Sequence, residues 1–298
     1  MAILVNKRFK LMSQLAEGAF GKVFLGWDTQ EHTILALKME SRKAKYPQLA
    51  FEDQVYTKLH GAQGIPRKVW YGKCGTYNVL AMERLGFSLD ELQRRCDGRF
   101  SLKTTLMLAD SILERLEYIH DNGIIHRDQK PENLAFGIGK HANTLYIFDF
   151  GLSKCFINPD TNTHIPPSTR KSLTGTPRYA SLNNHEGKEQ SRRDDLESLA
   201  YILVYFLKGK LPWQSVTDDN STDKYAKLHE LKRTMQPEEV CKGLPTEFAD
   251  FITYARALGF EERPQYDRIR RVFARLMKRY NYEYDGWYDW SGDRTERI

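Results

Sequence analysis

The spacing of apolar residues along the chain changes near residue 85. Before that point, short β-branched and aromatic runs at residues 23–27 and 33–39, separated by polar turn residues, predict β-strands. One helix is predicted among these strands, because Pro47 suits a first helical turn and Gly61 suits a position just beyond the last turn. Residues 1–85 are therefore predicted to form a small β-rich lobe.

Beyond residue 85 the apolar residues recur at helical spacing. Ser101 is a suitable N-cap for a long helix, and residues 194–208 are apolar on nearly all sides, which predicts a buried helix that ends at Gly209. Later helices are predicted at residues 224–235, 247–258 and 266–278. The pattern as a whole predicts one α+β domain, in which a mainly helical lobe at residues 86–298 follows the β-rich lobe and a ligand cleft lies between the two.

Composition narrows the class of protein. The chain has 298 residues, of which 41% are apolar and 28% are charged, as is usual for a globular protein. Its four cysteines are widely separated and include no Cys-x-x-Cys pair, which argues against a disulfide framework or a zinc site and favours a reducing, intracellular setting. The most apolar stretch contains Glu197 and is too short for a membrane span, so we expect a soluble protein.

The charge is distributed unevenly between the two predicted lobes. The net charge is +6, and residues 1–85 carry all of it, since residues 86–298 contain equal numbers of acidic and basic residues. Nucleic-acid binding requires clustered basic side chains with aromatic rings among them, and no such cluster is evident in the sequence. A solvated surface of mixed charge is the simpler interpretation, and we expect neither a nucleic-acid nor a membrane partner.

Two segments of the first lobe carry candidate chemistry. The segment AEGAFGKV at residues 16–23 is similar to a G-x-G-x-x-G-x-V phosphate loop in which Ala16 replaces the first glycine, although two glycines beside a strand are more often a simple hairpin. A Rossmann motif is excluded because strand-like sequence follows Gly21 and leaves no helix N-terminus for a pyrophosphate. Lys38 ends an apolar strand, and if it is buried it needs an anionic partner, for which Glu52 is available.

A third segment is far more specific. The sequence HRDQKPEN at residues 126–133 fits H-R-D-x-x-x-x-N at all four fixed positions, and Asp149-Phe150-Gly151 follows an apolar run. Asn133 and Asp149 offer the oxygen ligands that Mg²⁺ accepts together with substrate phosphates. The glycine loop, Lys38, Glu52, this loop and the D-F-G triplet occur in the order of the protein-kinase signature set.

On these motifs the chain resembles the eukaryotic protein kinases and, among them, the casein kinase I family, from about residue 9 to about residue 290. The usual A-P-E segment is absent, and SLNNH at residues 181–185 stands in its place after LTGTPRYA at residues 173–180. The segment EQSRRDDLESL at residues 189–199 is nearly unaltered from that family. It fits casein kinase I better than the tau-tubulin or vaccinia-related kinases.

The resemblance implies a bilobal kinase fold and an ATP- and Mg²⁺-dependent serine/threonine protein kinase. Lys38, held by Glu52, would pair with the α- and β-phosphates, and Asn133 and Asp149 would hold Mg²⁺. Asp128 would orient the substrate hydroxyl and accept its proton, Lys130 would offset charge on the transferred group, and His126 would brace the loop. The nucleotide-binding residues implied in this way are Leu15, Gly18, Gly21, Val23, Ala36, Lys38, Met82, Glu83, Leu85 and Ala135.

The resemblance also implies how substrates are selected. Five basic positions match anion-binding positions of casein kinase I relatives, Arg127, Lys154 and Lys171 at one site and Arg178 and Lys224 at another. The implied substrates are proteins with acidic or phosphorylated residues upstream of the target. The alternative is that Arg127 and Lys171 only order the activation segment, residues 152–180. We expect a monomer in the cytoplasm, the nucleus or both.

The sequence departs from the family pattern at several positions, and one other function has to be considered. Ala16, Ala135, Phe148 and Pro177 differ from the expected residues, and the two changes in the adenine pocket, a smaller Ala135 and a larger Phe148, can offset each other in volume. The alternative function is an inert nucleotide-binding scaffold. It is disfavoured because Lys38, Asp128 and Asp149 are all present. The sequence does not identify the physiological substrates or a phosphorylated residue in the activation segment.

Overall fold

The computed structural model describes residues 4–18, 21–215 and 221–292, without the side chains of Ser215 and residues 221–224. The chain divides into two compact units. The first contains residues 1–87 and 135–153, and the second contains residues 88–134 and 154–298. The sequence-based boundary at residue 85 assigned residues 135–153 to the helical lobe, whereas this segment packs within the β-rich unit.

An antiparallel sheet of six strands forms most of the first unit, in the order β1-β2-β3-β4-β6-β5. Its strands are β1 (Leu4–Val5), β2 (Phe9–Gly18), β3 (Gly21–Asp28), β4 (Thr33–Ser41), β5 (Lys68–Cys74) and β6 (Tyr77–Glu83), with helix α1 (Leu49–Lys58) between β4 and β5. Leu35, Leu37 and Met39 alternate along β4 and point into the core of this unit. Ala36 and Lys38 therefore face the opposite side of the sheet.

Helices dominate the second unit. They are α2 (Leu89–Arg95), α3 (Leu102–Asp121), α4 (Leu182–His185), α5 (Arg192–Lys208), α6 (Ser221–Thr234), α7 (Pro237–Val240), α8 (Thr246–Ala257) and α9 (Tyr266–Arg279). Helix α5 is buried on nearly all sides, as its sequence predicts, and packs against α3 and α8, while α9 packs against α3. The described residues also include four short strands, β7 (Ile124–Ile125), β8 (Leu134–Phe136), β9 (Leu145–Ile147) and β10 (Lys154–Cys155). They pair as β7 with β10 and β8 with β9.

The periodicity of the sequence predicts most of these elements. The strands at residues 23–27 and 33–39 and the five predicted C-terminal helices are present with small shifts at their ends. The start of α1 was predicted wrongly, because Gln48 is the N-cap and Pro47 precedes the helix. Helix α2 was not predicted, although Ser88 and Glu91 form a capping box at its start. Within the described residues, no helix is long and apolar enough to span a membrane.

Candidate active site

Three charged side chains meet in the first unit. The Nζ atom of Lys38 donates to Oε2 of Glu52 and to Oδ1 of Asp149, both at 2.6 Å. Glu52 projects from α1 and is 1% exposed, and Lys38 reaches it because strand alternation turns this lysine away from the apolar core. The Lys38–Glu52 pair that the sequence suggested is therefore present, and Asp149 extends it to a triad.

Burial and charge act in opposite directions on this triad. Burial disfavours the charged form of Lys38, but the two carboxylates outweigh that effect and raise the pKa of its amine above the ordinary value. Burial raises the pKa of Glu52 to about 7, and the nearby charge of Asp149 adds to this effect while Lys38 opposes it. Lys38 thus remains a cation beside Asp149, as a group that binds phosphate must.

The backbone at Asp149 is strained in a way that aims its side chain. Its φ and ψ of 64° and 71° lie in the left-handed region, which a residue other than glycine seldom adopts. Its N–H donates to the hydroxyl of Tyr56 at 3.2 Å. The next residue, Phe150, is fully buried and meets the ring of Tyr56 edge-on, with centroids 5.2 Å apart. Tyr56 therefore holds Phe150 in the core while the Asp149 carboxylate faces Lys38.

The two glycines of the predicted phosphate loop serve different purposes. Gly21 has a φ of +135°, and a Cβ there would collide with the carbonyl oxygen of Met39. A Cβ at Gly18 would have none of the described residues within 4 Å of it. Both glycines are among the predicted nucleotide-binding residues. The adjacent strand itself requires Gly21, whereas the described residues leave open space beside Gly18, where a phosphate could approach the backbone.

The register of the sheet gathers several of the predicted nucleotide residues on one face. Val23 lies opposite Lys38, and Ala36 lies opposite Met82, so all four share the face turned away from the core. Leu15 lies at an irregularity in the pairing of β2 with β3 and is exposed. Ala135 is buried in β8.

The backbone beyond β6 offers a donor for a heterocycle. The N–H of Glu83 already donates to the carbonyl oxygen of Arg67 at 2.8 Å. The N–H of Leu85 donates to none of the residues that the structure describes. An adenine ring nitrogen is a suitable acceptor for this N–H, and the apolar residues on the face beside it suit the ring. This unit therefore fits a nucleotide.

In the second unit, both oxygens of the Asp128 carboxylate have partners. Oδ1 accepts hydrogen bonds from the backbone N–H and the hydroxyl of Thr176, at 2.9 and 2.8 Å. Oδ2 accepts from Nζ of Lys130 at 2.8 Å. The amide nitrogen of Asn133 donates to the backbone oxygen of Asp128 at 3.0 Å, and no described residue donates to the Asn133 carbonyl oxygen. That oxygen therefore suits a cation such as Mg²⁺.

The loop that carries Asp128 is held by hydrogen bonds to a side chain for which the sequence analysis predicted no role. Asp195, at the start of α5, accepts hydrogen bonds from the backbone N–H groups of His126 and Arg127 at 2.7 and 2.8 Å. Its Oδ2 also lies 2.8 Å from Nε2 of His120. His126 is fully buried and its Nδ1 accepts from the N–H of Asp128 at 3.3 Å, as expected of a residue that braces the loop.

A comparison with known families agrees with these motifs. A family model described as the protein kinase domain matches residues 9–272. The chain belongs to the protein kinase family. The β-rich first unit and the helical second unit confirm the predicted α+β fold of a kinase, and membership of the family implies ATP as the phosphoryl donor.

The activation segment of this kinase closes over Asp128. Gly175 has a φ of +86°, and a Cβ there would collide with the carbonyl oxygen of Arg127, so only glycine fits. The bonds from Thr176 to Asp128 follow directly from that turn. A phosphate on Thr176 would bring two negative charges against Asp128, which makes this threonine unsuitable as an activating site.

The predicted anion-binding residues of the kinase converge on an internal carboxylate. Lys154 and Lys171 form ion pairs with Glu189, at 2.8 and 3.1 Å. Burial lowers the pKa of Arg127, and the charge of Glu189 partly offsets this effect. Glu189 is 5% exposed and was missed as a functional residue, because the sequence shows it only as part of a family motif. An incoming anion at this site has to compete with Glu189.

The second predicted anion site is only half described. The guanidinium of Arg178 lies over the rings of Tyr179 and Tyr205, 5.7 and 5.9 Å from their centroids. The side chain of Lys224 lies outside the described residues.

Proposed function

We propose that this protein kinase transfers the γ-phosphoryl group of ATP to serine or threonine in acidic or phosphorylated protein segments, as its resemblance to casein kinase I implies. The proposal of phosphoryl transfer rests on one observation, that all the side chains this reaction needs are present. They are the Lys38–Glu52–Asp149 triad and Asp128, whose two carboxylate oxygens are both held by hydrogen bonds. An inert scaffold would be expected to lack one of these groups.

The mechanism follows from the positions of these groups. Phosphoryl transfer depends mainly on positioning and on neutralising charge. Lys38 binds phosphate oxygens, and Asp128 accepts the proton of the substrate hydroxyl at a carboxylate oxygen. Lys130, which is already 2.8 Å from Asp128, offsets the charge on the transferred group. Asn133 and Asp149 would hold Mg²⁺, which when bound supplies positive charge to the phosphate oxygens.

Substrate selection follows from the cluster around Glu189. Arg127, Lys154 and Lys171 carry three positive charges, and two carboxylates oppose them, Glu189 and, near Arg127, Asp195. This leaves an excess of positive charge for an incoming anion. A phosphate carries up to two negative charges and three acceptor oxygens, so it competes with Glu189 better than one carboxylate does. The proposal therefore ranks a phosphorylated residue upstream of the target above an acidic one.

The test uses labelled ATP, Mg²⁺ and three peptides that share one sequence. The first has a serine acceptor, the second carries in addition a phosphoserine three residues before it, and the third has tyrosine as the acceptor. We expect labelling of both serine peptides, faster for the phosphorylated one, and none of the tyrosine peptide. Asp128→Asn should lower the rate by about 10²–10⁴-fold, as loss of a general base does.

Glu189→Gln serves to test the anion site separately from the chemistry. It removes the internal competitor while keeping the shape of the side chain, so the rate ratio of phosphorylated to plain peptide should rise. Equal labelling of the two serine peptides by the wild type would discard anion docking but keep the kinase. Labelled tyrosine would contradict serine/threonine specificity, and bound ATP without any transfer would establish the scaffold.

A further inference from the structure

Helix α9 presents a row of positive charges on its exposed side. Arg268, Arg271, Arg275 and Lys278 are all exposed and follow one another at intervals of three, four and three residues. At 100° and 1.5 Å per residue, this spacing places the four side chains within an arc of about 80° along about 15 Å of the helix. We call these four residues the cationic row.

The cationic row differs from the other basic residues of α9. Arg270 pairs with Asp110 at 2.7 Å, and Arg279 pairs with Glu247 at 2.9 Å. No member of the row forms an ion pair with a carboxylate in the part of the chain that the structure describes. Helix α9 itself contains one acidic residue, Asp267, which is too little to balance the four positive charges of the row.

The chemistry of the row defines the partner that it fits. Exposed arginines bind carboxylates through two parallel hydrogen bonds. A second α-helix repeats its side chains with the same rise of about 1.5 Å per residue, so carboxylates at intervals of three, four and three residues would meet the whole row. We propose that this face of the kinase docks an acidic helical segment of a protein partner, independently of phosphoryl transfer.

The surroundings of the row favour an acidic helix over nucleic acid. Its neighbours on the helix include the partly exposed Val272 and the exposed Ala274, which offer no ring on which a base could stack. The rings that follow the helix, Tyr280 and Tyr282, stack on each other with centroids 5.8 Å apart. Phosphate contacts without stacking would give only weak, unspecific binding to a single strand.

The test measures binding to the whole chain by fluorescence anisotropy. The probe is a labelled, capped peptide EAAEAAAEAAE, and the control peptide has the same composition with its glutamates spread around the helix. The variant changes Arg268, Arg271 and Arg275 to glutamine. A matched variant changes three exposed lysines of the first unit, Lys7, Lys10 and Lys43, to glutamine and so removes the same charge elsewhere.

We expect the wild type and the matched variant to bind the EAAEAAAEAAE peptide equally. The row variant should bind it about tenfold or more weakly, since three exposed ion pairs are lost, and all binding should weaken as salt is added. Phosphotransfer to a short peptide should be unchanged in both variants, which also shows that they fold.

Three outcomes would overturn the proposal. The first is equal weakening in the row variant and the matched variant, which would mean that only net charge matters. The second is equal binding of the two peptides by the wild type, a result that does not depend on any variant. The third is tighter binding of a twelve-nucleotide oligouridine, or of vesicles containing phosphatidylserine, than of the EAAEAAAEAAE peptide at the same salt concentration.

Discussion

Two enclosed lysines of this kinase have opposite surroundings. Lys38, in the first unit, donates to the carboxylates of Glu52 and Asp149, both at 2.6 Å. Lys232, in α6 of the second unit, is 0% exposed and donates to the backbone oxygens of Pro177 and Ala180 at 2.8 and 2.6 Å. Each amine donates to two oxygen acceptors, but only those of Lys38 are negatively charged.

Burial supports chemistry at Lys38 and structure at Lys232. The two carboxylates raise the pKa of Lys38, whereas burial lowers the pKa of Lys232 well below its ordinary value, because Glu197 acts on it only from a distance and pairs with Arg256. Lys38 is a cation poised for another anion. Lys232 fixes two carbonyl groups of the activation segment, and Trp213 fixes the carbonyl of Arg178 between them at 2.8 Å.

Replacing Lys38 should affect activity more strongly than any other change considered for the two lysines. Lys38→Met removes the cation that binds phosphate, and the rate of transfer should fall by about 10²–10³-fold, as when a single charged or hydrogen-bonding group that stabilises a transition state is removed. The free energy of unfolding should change much less, because Glu52, whose pKa is already about 7, can take up a proton and remain buried as a neutral acid. Initial rates and denaturant melts of the same preparations measure the two effects.

Replacing Lys232 should have the opposite result, a larger effect on stability than on the rate of transfer. Lys232→Met leaves the carbonyl groups of Pro177 and Ala180 without their donor, and it should lower the free energy of unfolding by about 2 kcal/mol, as expected when buried acceptors are left unpaired. Denaturant melts measure this loss. Below the melting temperature, the KM of the phosphorylated peptide should rise more than kcat falls, because Arg178 loses the support of its neighbours.

Lys232→Arg keeps a donor at the same position and is the matched control. Partial recovery of stability and of KM by arginine would support the positioning role. If Lys232→Met instead abolished kcat in a protein as stable as the wild type, the distinction between the two lysines would be wrong.

The sequence predicted the parts of the site that are local. Residues 126–133 specify the loop of Asp128 within eight consecutive positions, and the alternation along β4 sets the face of Lys38. Asp195, Glu189 and Lys232 were missed as functional residues. Their partners lie 69, 35 and 52 residues away, and no short-range pattern marks such contacts.

For the fold as well, the sequence predicted local elements but not long-range packing. Amphipathic helices and alternating strands follow from residue periodicity, so their order was predictable. The segment 135–153 was assigned to the other lobe, because its packing in the first unit depends on long-range contacts such as that of Phe150 with Tyr56. The wrong start of α1 has a local cause, since Pro47 fits both the first turn of a helix and the residues before it.

The smallest effect is a dependence of stability on pH near Lys232. Burial lowers the pKa of His185 to about 3, and the nearby charge of Lys232 adds to this effect. Nε2 of His185 lies 3.3 Å from Nζ of Lys232 and 3.2 Å from the oxygen of Pro177, and the ring stacks on His229. The folded protein therefore keeps this imidazole neutral, whereas the unfolded chain takes up a proton below about pH 6.5.

Because the unfolded state binds more protons in this range, the stability supplied by neutral His185 is complete above about pH 6.5 and decreases as the pH falls. The loss should approach about 1 kcal/mol between pH 6.5 and 5.5. Glu52 and Asp194, whose pKa values are raised to about 7 and about 6, respond in the opposite direction, so the readout is the difference between wild type and His185→Gln in denaturant melts. Parallel pH profiles of the two proteins would contradict the assignment.

Lys232→Met should raise the pKa of His185 in an NMR titration, since it removes the adjacent positive charge, and an unchanged pKa would show that burial alone keeps the imidazole neutral.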